Sequence, residues 1–320
     1  MSDNIMKPSV LLVGSGPMAV AYAKVLQAMD IPFVNIGRGQ ASADNFEKET
    51  RVKPVIGGVD GYLANNQLAP NTVAFLATNT EGLMHNMLKL LEAGADKILV
   101  EKPAAISVEE LLANEENLKP YNHKVFVAYN RRFYSSVIEA EKMIEEDGGL
   151  QSMLFEFTEW AHVIEPLKKA PGIKENWFFA NSTHVVDLAF YLAGSPAEMS
   201  CYSKAGSLTW HSKTNFAGAG ITEKGVLFSY LSNWESAGRW ALELLTSKRR
   251  IYLKPLEGIN VQLKGSVQTT PHEFDNALDT AFKPGIYKQV EAFLNGDDKK
   301  LLDIEGHIVN TKNIYSTILS

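Results

Sequence analysis

The junction that most restricts how this chain can fold lies near its start. The apolar run Val10–Val13 (VLLV) stops at Gly14-Ser15-Gly16-Pro17-Met18-Ala19, and a stretch of helical composition, AVAYAKVLQAM, follows. A short continuous apolar run with β-branched members is how a strand buried on both faces reads. Pro17 suits a first helical turn. The spacing is G-x-G-x-x-A, and each small residue has a physical task. Gly14 permits the tight turn, Gly16 lets the backbone approach a pyrophosphate with no Cβ in the way, and Ala19 lets helix and strand pack closely. The helix N-terminus then offers N–H groups to an anion. Glycine-rich turns are common, and it is the position between strand and helix that makes this one a dinucleotide fingerprint. Gly14, Ser15, Gly16, Pro17 and Met18 are the first candidate cofactor contacts.

The same alternation continues. Phe33–Ile36, Val73–Ala77, Ile98–Val100 and Lys124–Tyr129 read as strands, with helical stretches such as GLMHNMLKLLEAG and VEELLANEENL between them. This predicts a parallel sheet covered on both faces, a doubly wound Rossmann domain. Beyond the helix SSVIEAEKMIEE and the Gly148-Gly149 break the pattern changes. LFEFTEW, EMSCYS, SLTWH, GVLFSYL, WALELLT and RIYLK read as strands of a mostly antiparallel sheet. One helix, NSTHVVDLAFYLAG, interrupts them and stops at Gly194 with Pro196 just beyond. The expected class is α/β followed by α+β: residues 1–130 a Rossmann domain, residues 131–320 an open-sheet domain. The last helices, around GIYKQVEAFLNG and DIEGHIVNTKNIYSTIL, are expected to pack back on the first domain. A chain of 320 residues is too long for one ordinary core.

Several classes are disfavoured. The 31 basic residues against 37 acidic ones give a formal charge of −6, so no overall basic surface awaits nucleic acid. The N-terminus has no basic region before its short apolar run, so neither a leader nor a membrane partner is expected, and the location read is cytoplasmic. Cys201 is the only cysteine, which excludes an intrachain disulfide and a cysteine-rich zinc site. No H-x-x-x-H or H-E-x-x-H spacing occurs, so no metal is expected. No G-x-S-x-G elbow supports a serine hydrolase.

The end of the second strand bears on the cofactor. It reads Ile36-Gly37-Arg38-Gly39, without the carboxylate that takes the ribose 2′-hydroxyl of NAD. Arg38 can pair with a 2′-phosphate, with Ser42 as a second donor. NADP(H) is the expected cofactor and NAD(H) the alternative; a merely solvated Arg38 is the plain reading.

The order GSGPMA, FLATNT, LVEKPAA, YNRRF and then HVVDLAFYLAG resembles the Gfo/Idh/MocA oxidoreductase family. The resemblance runs through most of the first half and resumes in the second. It implies that Lys102 sits beside the nicotinamide and the reacting carbon, where an ammonium stabilises charge developing on a substrate oxygen. It implies Glu101, Thr78, Asn79 and Thr80 near the cofactor, Asn130 and Arg131, with Arg132, toward the substrate, and His184 as the second catalytic group. The activity implied is hydride transfer between nicotinamide and a hydroxyl or carbonyl carbon of a sugar, sugar nucleotide or cyclic polyol. The second domain would bind that small carbohydrate-like substrate and form a homodimer or homotetramer. A salt bridge is the structural alternative for Lys102 and for the two arginines. The Lys102–Pro103 bond is a candidate cis bond. His85 reads as a packing or positioning histidine.

One departure stands out. The family pattern D-x-x-x-H-x-x-D places its last two members at His184 and Asp187, but its first falls on Ala180. Asn181 beside it can hydrogen-bond without carrying charge and is a candidate substrate contact. Asp187 is expected to pair or cap within the second domain. The missing carboxylate admits a second class of function, an NADP(H)-binding sensor or scaffold subunit with little catalysis. Trp160, Trp210, Trp234 and Trp240 fall in or beside expected strands, either as core or as an exposed interface patch. Lys248-Arg249-Arg250, with Lys254, is either a solvated edge or an anion holder.

Overall fold

The computed structural model describes residues 8–320; residues 1–7, part of the stretch read for a leader, lie outside it. The chain forms two compact units. One comprises residues 8–128 and Ile286–Ile308, the other Tyr129–Gly285 and Val309–Ser320. The division is therefore not a single cut at 130, because the chain returns to the first unit and leaves it again.

The first unit holds strands β1 (Ser9–Val13), β2 (Phe33–Gly37), β3 (Val55–Ile56), β4 (Thr72–Leu76), β5 (Lys97–Val100) and β6 (Val125–Val127). They pair in parallel in the order β3-β2-β1-β4-β5-β6, and a short antiparallel strand, Leu302–Asp303, closes the far edge on β6. The strand order reverses at β1, between β2 and β4, which is where such sheets open a crevice at their carboxyl ends. Residues 10–13 are buried on both faces, as their unbroken apolar run requires. Helix α1 (Pro17–Ala28) packs against the returning helix Ile286–Asn295. Phe293 of that helix meets Phe75 edge-on at 5.1 Å. The polar helix Gln40–Thr50 was not anticipated; it buries only Ala43, Phe46 and Thr50.

The second unit carries β7 (Ser152–Glu156), β8 (Pro196–Lys204), β9 (Asn215–Thr222), β10 (Leu227–Asn233), β11 (Ala241–Leu245), β12 (Arg249–Leu253), β13 (Asn260–Leu263) and β14 (Thr269–Pro271). Their order is β14-β13-β12-β11-β7-β10-β9-β8, antiparallel throughout except for the parallel pair β7–β10. The inward face alternates cleanly: Met153 and Phe155, then Phe228 and Tyr230, are buried. They meet the helix Thr183–Ala193, with Phe190 edge-on to both Phe155 and Phe228. Leu154, Leu227, Leu231 and Tyr202 lie exposed on the other face.

Two strand assignments change. SLTWH is a loop, because Glu235 accepts hydrogen bonds from the Ser207 backbone and hydroxyl while Trp210 stacks on Trp234. The strand in that region is β9, NFAGAGIT, whose glycines hid it. Gly218 and Gly220 sit opposite Tyr230 and Phe228, and a Cβ on Gly218 would lie 2.5 Å from the Tyr230 ring. The aromatic rings of the neighbouring strand cover the space that side chains would fill.

Asp147 pins the β11–β12 turn to the preceding helix. Its side chain is fully buried, accepting from the Thr246 hydroxyl at 2.7 Å and Arg249 at 2.7 Å, with Lys248 at 3.6 Å. Burial would raise this carboxyl, but Thr246, Arg249 and Lys248 outweigh it and hold it below its ordinary value. A depressed carboxyl contributes stability that is present above its unfolded value, about 3.9, and is lost as pH falls through the folded value. Asp147→Asn is expected to destabilise the protein by about 1–3 kcal/mol at pH 7, with the difference from the parent shrinking below about pH 4. Urea melts across pH 3–7 read this; a difference that does not change with pH contradicts it.

Candidate active site

In the first unit the glycine loop is built as its sequence suggests. Gly14 has φ of 115°, and a Cβ there would lie 2.3 Å from the Ala77 carbonyl oxygen, so the β1 and β4 ends can abut only with glycine. Gly16 is the N-cap of α1, and a Cβ there would meet nothing within 4 Å, so that side of the loop is open. The first turn carries no acidic residue and no side-chain cap. Its positive end thus keeps its attraction for an anion. Pro17 is exposed and Met18 half-buried beside it.

Asn35 of β2 escaped the sequence reading and holds this loop in shape. Its amide donates to the Leu12 carbonyl at 2.9 Å and the Gly14 carbonyl at 2.7 Å, and its Oδ1 accepts from Ser15 Oγ at 3.1 Å. A polar residue inside an otherwise apolar strand was the available signal. Arg38 lies exposed just after β2, and Ser42 Oγ donates to the Gly39 carbonyl at 3.0 Å. Thr78, Asn79 and Thr80 follow β4, Asn79 exposed and the threonines half-buried. His85 is exposed and bonded to Asp60 at 3.0 Å, tying two helices together.

The Glu101-Lys102-Pro103 turn ends β5 at the same end of the sheet. The Glu101 N–H donates to the Leu76 carbonyl at 2.9 Å, Ala104 has φ of 69°, and the Lys102–Pro103 bond is cis. Two distant side chains clamp the turn. The Tyr22 hydroxyl donates to Glu101 Oε1 at 2.8 Å, and His307 Nε2 lies 2.9 Å from the Pro103 carbonyl, which can only accept. Burial first, and then the Glu101 charge, push the Tyr22 phenol well above its ordinary value, so it stays a donor. Lys102 is half-buried between these anchors. Tyr22 and His307 come from two separate helices, and no local pattern announces them.

In the second unit His184 lies in the first turn of the helix Thr183–Ala193, behind a π-helical turn, Phe178–Ser182. Its Nε2 is 2.6 Å from Arg131 Nη1. A guanidinium only donates, so Nε2 accepts and the ring proton is on Nδ1. Tyr129 meets the imidazole edge-on at 5.7 Å, and Trp240 lies 6.0 Å away. Arg131 also donates to Asn130 Oδ1 at 2.9 Å and stacks 4.9 Å from Trp240. Asn130 in turn donates to the Pro284 carbonyl. Arg132 and Asp187 form a bidentate pair, at 2.8 and 2.6 Å, buried in the unit. Burial opposes the charge on Arg132, but Asp187 outweighs it and lifts the guanidinium above its ordinary value.

Ala180 is buried in the π turn, and no carboxylate stands at that position. A different one stands close by. Glu159, inside LFEFTEW but past the end of β7, is 1% exposed. It accepts from Asn181 Nδ2 at 2.9 and 3.1 Å and from Ser182 Oγ at 2.9 Å, with Arg239 at 3.5 Å. Burial pushes its carboxyl up, against the pull of Ser182, Arg239 and Asn181.

Two sets of alternatives are resolved. Trp234 and Trp240 are core, at 2% and 7% exposure, and of the four tryptophans weighed as core or patch only Trp160 is largely exposed. The basic run is not an open anion holder: Lys248 and Arg249 pair with Asp147, Arg250 with Glu243 and Lys254 with Glu156.

No family model matches the sequence, and neither does any curated protein. Solved structures do match. A candidate NADPH-dependent oxidoreductase from Desulfitobacterium hafniense aligns with a TM-score of 0.77 at 13% identity, covering 98% of this chain and 95% of the other. An oxidoreductase from Agrobacterium radiobacter, in complex with NAD+, L-tartaric acid and magnesium, gives 0.74 at 13%, covering 98% and 97%. Levoglucosan dehydrogenase, in complex with NADH and levoglucosan, gives 0.72 at 17%, covering 98% and 97%. The chain shares its fold, a mostly parallel Rossmann-like sheet in one unit and a mostly antiparallel sheet in the other, with these solved oxidoreductases. On this fold the glycine loop and Lys102 belong to strand ends of the parallel sheet, and His184, Asn181 and Glu159 belong to the second unit.

Proposed function

We propose that this protein is a nicotinamide-dependent oxidoreductase that prefers NADP(H) and acts on a hydroxyl or carbonyl carbon of a sugar, sugar nucleotide or cyclic polyol. The observation that carries the reading is the glycine loop: a Gly14 that only glycine can occupy, an open Gly16 side, and an uncapped α1 N-terminus free of acidic residues. A pyrophosphate fits such a cradle. Nicotinamide, when bound, supplies or takes up the hydride; everything else falls to the chain. Lys102 would hold the substrate oxygen and stabilise its charge. His184 would carry the proton, with Arg131 holding its ring in place. Arg38, exposed after β2 with no carboxylate beside it in Gly37 or Gly39, supports the 2′-phosphate preference. The exposed leucines of the open sheet support self-association as a dimer or tetramer.

Ala180 supports the second reading, a binding subunit with little catalysis. Turnover separates the two, since both bind cofactor. The first experiment titrates cofactor-free protein with NADPH and NADH. NADPH is expected to bind more tightly, and Arg38→Ala to weaken it by about ten- to a hundredfold while leaving NADH unchanged. Equal weakening of both, or tighter NADH binding by the parent, overturns the NADP(H) preference.

A further inference from the structure

We infer that the second unit carries a sugar-binding site separate from His184, a cavity walled by Trp160 that takes one non-reacting pyranose ring. The cavity holds about 470 Å3, within the range of small-molecule sites. Trp160, His162, Glu165, Ser207, Trp234 and Glu235 are among its walls, and none of His184, Arg131 and Asn181 lines it. Occupancy of this site requires neither cofactor nor turnover, so it goes beyond the oxidoreductase reading and does not depend on it.

Trp160 is the platform. It is 45% exposed, yet its ring is fixed: Nε1 donates to the Gly238 carbonyl at 2.8 Å, and the Arg239 guanidinium lies 4.8 Å from the ring centre. A ring held in this way meets a ligand with little ordering cost. Exposed aromatic surface on the wall of a cavity marks a place for a partner. The rest of the wall is formed in advance. Glu235 accepts from the Ser207 backbone and hydroxyl and, at 2.7 Å, from the Thr214 hydroxyl. The exposed Glu165 carboxylate has no partner among the described residues. Trp234 is 2% exposed, and its indole Nε1 likewise has no partner among the described residues.

An aromatic face beside hydrogen-bond acceptors suits two ligand classes, an organic cation and a sugar ring. Arg239 decides between them. Cation–π attraction is electrostatic, and a guanidinium already on one face of Trp160 repels a second cation on the other. Glu235 offers little to offset this, since Ser207 and Thr214 engage both its oxygens. The C–H face of a pyranose packs on an aromatic ring by dispersion and apolar burial, which need no free negative charge on the ring. Its rim hydroxyls find an acceptor in Glu165 and further partners in His162 and Ser236.

The test uses fluorotryptophan-labelled protein, in which each of the five tryptophans gives its own fluorine signal and single Trp→Phe variants assign them. Methyl β-D-glucopyranoside and cellobiose are titrated, with tetramethylammonium as the rival class. The Trp160 signal is expected to move with a dissociation constant on the order of 1 mM for the methyl glycoside. The signal of Trp240, the ring beside His184, should move less. In Trp160→Ala, read on the Trp234 signal, binding should weaken by more than about tenfold; the side chain is exposed, so the fold should survive its loss. Glu165→Gln keeps an acceptor without the charge and should hold glycoside affinity within about fivefold of the parent. Tetramethylammonium binding more tightly than the glycoside, and lost in Glu165→Gln, makes the cavity a cation site and overturns the inference. A Trp160 signal that stays still with both sugars, shifts confined to Trp240, or unchanged affinity in Trp160→Ala overturns it too, and each leaves the oxidoreductase reading standing.

Discussion

Lys102→Ala is expected to lower kcat/KM by about a hundred- to ten-thousandfold while leaving NADPH affinity within about tenfold of the parent. The split follows from how the turn is held. Glu101 is fixed by Tyr22 and Pro103 by His307, while Gly14 and Gly16 belong to a separate loop braced by Asn35. Removing the ammonium should therefore leave the cofactor cradle intact. Lys102→Arg distinguishes two tasks of the lysine. A guanidinium keeps the charge but does not give up a proton near neutral pH. Partial activity in that variant would assign electrostatic support to Lys102, and activity as low as in the alanine variant would assign proton transfer as well. Steady-state rates with NADPH, beside a binding titration, supply both readouts. Unchanged kcat/KM in Lys102→Ala would make the lysine a structural residue.

Asp187→Ala is expected to reduce folding stability by about 3–5 kcal/mol. The variant leaves the Arg132 guanidinium buried without its bidentate partner, and Arg132 and Asp187 side chains are only 8% and 1% exposed. The double variant Arg132→Met with Asp187→Leu should recover most of the loss, because it removes both charges at similar volume. Urea denaturation of the three proteins measures this. A loss below about 1 kcal/mol would mean that the pair behaves as a solvated one. The consequence reaches the site, since Asp187 and His184 share one helix and Arg132 follows Arg131 directly. The pair anchors the segment that presents Arg131 to His184.

What could be read without coordinates was whatever local spacing encodes. The Rossmann strands were legible because burial on both faces leaves an unbroken apolar run, and the glycine loop because its backbone tolerates few residues. The pairing of Asp187 within its own unit was also foreseeable, since a carboxylate on an apolar helix needs a partner. Strand β9 was hidden because its glycines rely on Tyr230 and Phe228 from the neighbouring strand, which no residue within the segment reveals.

The sequence alone determined the alternating architecture, the nucleotide fingerprint, the absence of a carboxylate after β2 and the vacancy at Ala180. Only the tertiary structure decided what surrounds them. Tyr22 reaches Glu101 across 79 positions, His307 reaches Pro103 across 204, and Glu159 reaches Asn181 across 22. Hydrogen bonds between residues so far apart obey no sequence period. They form because packing of apolar faces brings the polar groups into the same dry interior, where each must find a partner.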